Sequence, residues 1–212
     1  YYAFYFLFGV MLLPLSSRML FGILLGLNVA FVVMILTLNY DSGWNWDDYT
    51  YAGFWSPIGF VRNLFFNGWH PVIPWLGFMV FGIILSRISL ADRATQYRLV
   101  FGGLAAFAFA EISSALIISQ FASNAPGLAE LATTEPVPPM PLYILAGGGA
   151  AGACIALCLL VTPALRKVCI LTWLTRPGRQ TLTLYIAHIY LGMGTLELMG
   201  KLGGQSIAQV ML

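Results

Sequence analysis

Apolar residues run in long stretches separated by short polar breaks, without the period-two alternation of half-buried strands. Such stretches predict helices. Residues 1–15 form the first, closed by Pro14 and the polar Ser16-Ser17-Arg18. Residues 19–38, 71–86, 99–122 and 142–161 form the next four, the last ended by Pro163, and residues 181–200 form a sixth. A spanning helix takes about 20 mostly apolar residues, so the pattern predicts an all-α, polytopic transmembrane bundle of about six spans. Residues 39–57 are a polar, aromatic loop with Asp41, Asp47 and Asp48. Residues 58–67 are apolar but carry Arg62 and Asn63, are too short to span, and read as an interfacial or re-entrant piece. Residues 87–98 are a short basic loop. Residues 123–141, with five prolines and two glutamates, are expected to be exposed and irregular. Residues 166–180 are basic and amphipathic, and 201–212 are expected to add one more short helix.

Composition places this bundle in lipid. Only 18 of 212 residues (10 Lys or Arg and 8 Asp or Glu) are charged, 8% against roughly 25% in soluble domains. Hydrophobic residues make up 59% and mean hydropathy is +0.84. These values exclude a soluble globular enzyme, a disordered chain and a disulfide scaffold. A net charge of +2 argues against nucleic acid as a partner. Cys154, Cys158 and Cys169 are odd in number and lie mostly in apolar sequence, so they read as packing residues, not as a disulfide framework.

Charge position gives an orientation. Arg18, Arg87, Arg93, Arg98, Arg166, Lys167, Arg176 and Arg179 follow the first, third and fifth spans; Arg62 and Lys201 fall on the other side, with Asp41, Asp47, Asp48, Glu130 and Glu135. By the positive-inside rule the basic loops face the cytoplasm. Trp44, Trp46, Trp55, Trp69 and Trp75 then form an outer aromatic belt. The chain opens on Tyr1 inside an apolar run, with neither Met nor a basic flank. Residues 1–212 therefore read as a single transmembrane domain, the later portion of a longer protein. Gly22 with Gly26, and Gly148 with Gly152, are GxxxG pairs at which helices are expected to approach closely.

Ionisable groups at membrane depth are costly and so are candidate sites. Glu111 lies in the fourth span and is either functional, held neutral by a neighbouring helix's hydroxyl, or paired with an arginine. His188 lies in the sixth span, where Tyr185 at i−3 shares its face; a simple interhelical hydrogen bond is the alternative. Glu197 is expected near the outer end of that span. His70 sits at the outer mouth of the third span in Asn67-Gly68-Trp69-His70-Pro71, with Pro74-Trp75 following. It is a candidate general base, or a structural turn residue. Arg62 is placed to hold an anionic group, or to pair with Asp47 or Asp48. The residues define no metal site.

Two segments carry a family resemblance. Residues 64–82, LFFNGWHPVIPWLGFMVFG, followed by Arg87, and residues 177–188, PGRQTLTLYIAH, resemble signatures of YeiB-type bacterial membrane proteins. These are relatives of the heparan-α-glucosaminide N-acetyltransferases within the transmembrane acyltransferase superfamily. The resemblance implies a bacterial inner-membrane protein that transfers an acyl group from cytoplasmic acyl-CoA to a hydroxyl or amine, without a metal. It implies catalytic roles for His70 and His188; the candidate binding residues are Asn67, Trp75, Arg179 and Tyr185 within these segments and Arg62, Glu111 and Arg176 outside them. Arg176 and Arg179 suit CoA phosphates. The family's L-D-x-x-R-G first helix is absent, which agrees with a C-terminal portion. Two other readings stand beside the enzyme. One is a non-catalytic subunit that binds lipid, a membrane-protein partner or a second copy. The other is a solute carrier relaying protons through Glu111 and His188.

Overall fold

The computed structural model describes residues 1–200, so the helix expected over 201–212 lies outside the described residues. Helices dominate. They are α1 (Tyr2–Leu12), α2 (Ser17–Thr37), α3 (Pro57–Arg62), α4 (Val72–Leu85), α5 (Arg93–Phe121), α6 (Pro126–Leu131), α7 (Pro141–Lys167), α8 (Leu171–Gly178), α9 (Thr181–Ala187) and α10 (Gly194–Leu198). Short π-helical segments follow α3, over Asn63–Asn67, and α9, over His188–Met193. Among the described residues the only sheet is a hairpin pairing Trp44–Asn45 (β1) with Thr50–Tyr51 (β2). The chain divides into two compact units, Tyr1–Leu160 and a second beginning at Val161.

Three helices are long and apolar enough to cross a membrane: α2, α5 and α7. A fourth crossing results if α3 with its π segment and α4, bent by 47° across Gly68–Pro71, count as one. Helix α1 has 11 residues, about 16 Å of rise against a hydrocarbon core of about 30 Å. The chain is also helical from Thr181 to Leu198, with the π segment inside that run.

Start signals explain the boundaries. The Ser16 hydroxyl accepts from the Met19 N–H and opens α2. The Ser56 hydroxyl accepts from Gly59 and opens α3, with Pro57 at the first helical position. The Asp92 carboxylate accepts from both the N–H and the hydroxyl of Thr95. This cap starts α5 at Arg93, six residues earlier than the apolar run indicates, and shortens the basic loop. The same hydrogen bonds hold the Asp92 carboxyl below its ordinary pKa.

Two expectations fail. Residues 123–141 are not irregular throughout: Pro126, with no N–H to lose, opens the one-and-a-half-turn α6, and Ala129, Ala132, Pro139 and Met140 are buried. Pro163 does not end α7, which continues to Lys167 with the proline inside it. The proline leaves the Leu159 carbonyl without its i+4 donor, and the helix continues for one more turn.

The core of the first unit lies where α1, α2, α4 and the π segment meet. Tyr5, Leu20, Leu64, Val72, Leu76, Val80 and Ile83 are buried together there. Phe31, Phe66 and Met140 form a second cluster, against which Tyr40 and Ile73 pack. Arg87 ties the end of α4 to the α1–α2 turn, donating to the carbonyls of Leu15 (2.6 Å) and Leu13 (2.8 Å).

A close backbone approach of two helices does not use the expected glycine pairs. Gly22, Gly26 and Gly148 have open space where a Cβ would stand. Instead Gly103 on α5 faces Gly149 on α7: a Cβ at Gly103 would lie 2.4 Å from the Gly149 carbonyl oxygen, and one at Gly149 2.6 Å from that of Gly103. Gly103→Ala is therefore expected to push α5 from α7 and cost about 1–3 kcal/mol, whereas Gly22→Ala is tolerated. Thermal unfolding of both variants in detergent checks this; equal melting temperatures would contradict the backbone contact.

Candidate functional site

The polar segment 39–57 is organised by its own side chains. Asn39 accepts from the Asp41 N–H, Asn45 from that of Asp47, and Asp48 from that of Thr50. These local bonds set the turns flanking the hairpin. Gly43 adopts φ +92°, and a Cβ there would meet Arg62 Nη2 at 2.8 Å, so glycine is required on both counts. Trp44 stacks on Trp46 at 4.7 Å and meets the edge of Trp69 at 5.1 Å. Three of the expected belt tryptophans thus form one cluster, while Trp55 is almost fully exposed.

Asn67 joins this hairpin to the helices. It is fully buried at the end of the π segment. Its Nδ2 donates to the carbonyls of Tyr40 (2.7 Å) and Ser42 (2.9 Å), and its Oδ1 accepts from the Tyr51 hydroxyl (2.9 Å). Its own carbonyl accepts from the Trp44 indole. Arg62 donates through Nε to the Tyr51 hydroxyl (2.8 Å) and through Nη1 to Ser42 Oγ (2.7 Å), and lies 5.7 Å from the Tyr51 ring centre. It pairs with neither Asp47 nor Asp48; the hydroxyls take that place. Both residues, expected to bind a ligand, hold the hairpin onto the π segment. Tyr51, which mediates between them, drew no attention in the sequence.

His70 stands in the turn between the π segment and α4. Its backbone carbonyl accepts from the Tyr5 hydroxyl. Its half-buried ring meets the edge of Trp75 at 4.6 Å and of Tyr1 at 6.1 Å. Tyr1 is itself held by its hydroxyl bond to Asn63 Oδ1. Trp75 in turn packs against Phe78 (5.5 Å) and Tyr143 (5.7 Å). Burial disfavours the imidazolium and lowers the His70 pKa below the usual histidine value. Among the described residues no hydrogen bond engages its ring nitrogens, and the buried Trp75 Nε1–H has no partner. The imidazole can therefore accept a proton, beside a buried indole N–H that has no partner.

The other candidates have separate settings. Glu111, part-way along α5, accepts from the Thr134 hydroxyl at 3.3 Å. The hydroxyl comes from the segment after α6, not from a neighbouring helix. In the second unit, Arg176 lies in the last turn of α8 and Arg179 caps its end, both exposed. Tyr185 and His188 meet edge to face at 5.2 Å, as their i, i+3 spacing predicts. His188 begins the second π segment and is exposed. Glu197 lies in α10 and is also exposed.

No family model matches the chain, and neither a curated protein nor a solved structure matches it.

Proposed function

We propose that the protein is a membrane acyltransferase of the YeiB-like type, in a bacterial inner membrane with its basic loops in the cytoplasm. The reading takes six spans: α1, α2, α4, α5, α7 and the helical run from Thr181 to Leu198. The single observation that supports it best is the His70 cup. There a half-buried imidazole with unengaged nitrogens sits against Trp75, whose buried indole N–H lacks a partner. In the reaction, His70 takes the proton of an acceptor hydroxyl or amine as that group attacks the acyl-CoA thioester carbon. The new C–O or C–N bond forms, the C–S bond breaks, and the proton passes to the departing thiolate, giving free CoA thiol. Trp75 Nε1 is a donor suited to the oxyanion. In the second unit, the exposed Arg176 and Arg179 are suited to phosphates.

The pH dependence tests the base. A desolvated His70 loses its proton at lower pH than an ordinary histidine, about 6.5. Free-thiol release from acetyl-CoA by membranes containing the protein should therefore rise with pH and level off, with its midpoint below that value. A flat profile, or a midpoint at or above it, removes His70 from the role. A non-catalytic, lipid-contacting subunit is the alternative, and the exposed apolar side chains along α1, α2 and α5 favour it.

A further inference from the structure

A cavity of about 550 Å³ opens between α2, α4, α5 and α7, separated from the His70 cup by Phe78, which packs on Trp75. That volume lies in the usual range of small-molecule sites, about 300–1,000 Å³. Its lining is apolar except for two side chains, Asn28 and Arg98. Asn28 Nδ2 gives one of its two N–H groups to the Leu24 carbonyl, and its buried Oδ1 has no partner, so Arg98 is the one charged group of the lining. The lining follows α5 from Arg98 to Ala106 and α7 from Pro141 to Gly152. These are lengths of about 12 Å and 16 Å at ~1.5 Å per residue. The Gly103–Gly149 contact sets these helices side by side, and Arg98 lies in the second turn of α5. The cavity is thus an elongated hydrocarbon slot with one cation, at the end where α5 begins. The carboxylate of Asp92, the cap of that helix, is hydrogen-bonded by Thr95 and also lies within electrostatic reach of Arg98.

We infer that this slot binds one acyl chain of an anionic phospholipid, with the phosphate on Arg98. The occupant follows from charge complementarity: an apolar slot of this shape takes a hydrocarbon chain, and a lone guanidinium at its end selects a phosphate headgroup. A zwitterionic lipid would bring a second, positive charge to the same guanidinium. Gly102 and Gly148 line the slot with open space at the Cβ position, so a side chain there starts without meeting a neighbouring helix. The inference does not depend on the transferase reading.

Native mass spectrometry of the purified full chain, titrated with phosphatidylglycerol or phosphatidylcholine, tests it. The unmodified protein should retain one phosphatidylglycerol in at least fivefold preference. Arg98→Gln, at an exposed position, should remove the preference. Gly102→Leu and Gly148→Leu should lose retention of both lipids with little change in melting temperature. Equal retention of the two lipids by the unmodified protein, an unaltered preference in Arg98→Gln, or unchanged retention in both glycine variants would overturn the assignment.

Discussion

His70→Ala should lower free-thiol release from acyl-CoA by about 10²- to 10⁴-fold, the range for removal of a positioned general base. The loss should appear as a lower rate at saturating acyl-CoA, because the imidazole acts on the acceptor's proton and not on the donor's phosphates. Folding should survive. The turn is held through the His70 carbonyl, which the Tyr5 hydroxyl bonds whatever the side chain. His70→Phe separates chemistry from packing: it restores a ring against Trp75 and Tyr1 but has no nitrogen to take a proton. Both variants should be equally inactive at matched protein levels in the membrane. Activity in His70→Phe near that of the unmodified protein would reduce His70 to an aromatic wedge and end the proposal for this residue.

Asn67→Ala should cost about 3–5 kcal/mol, more than the loss of the glycine contact. It deletes three side-chain hydrogen bonds and leaves the Tyr40 and Ser42 carbonyls and the Tyr51 hydroxyl without their partner. The damage should then spread, because Tyr51 also receives Arg62 Nε. The expected readout is a lower melting temperature in detergent together with new proteolytic cuts within residues 39–57. Asn67→Asp should not rescue it, since a carboxylate keeps the acceptor but turns two donors into a charge facing two carbonyls. An unchanged melting temperature in both variants would show that the hairpin docks by its aromatic cluster alone.

What could be read from the sequence divides by range. The limits of α2 and α4 follow from unbroken apolar runs, because lipid and core demand the same side chains. The early start of α5 was also written locally, in Asp92 and Thr95, but an apolar run hides it. Helix α6 was missed because prolines signal breaks, although Pro126 stands at the position where proline starts a helix. The Tyr185–His188 contact needed only helical periodicity. The duty of Asn67 was out of reach: its partners lie 16 to 27 residues away, across a hairpin whose docking no local pattern encodes. For the same reason a cation on the side of Asp47 and Asp48 suggests an ion pair, while the fold gives Arg62 two hydroxyls. His70 was legible as a candidate, but its aromatic surroundings come from α1, α4 and α7.

The Arg87 clasp bears on how the chain is made. The carbonyls of Leu13 and Leu15 leave the ribosome long before Arg87, which is 72 residues beyond Leu15. At about 5–20 residues per second, the α1–α2 turn waits for several seconds without its final partner. It must stay hydrated through that interval, and it can close only after α4 has delivered its C-terminal end to the same face. The α1–α2 turn is therefore completed only by a residue made well after it.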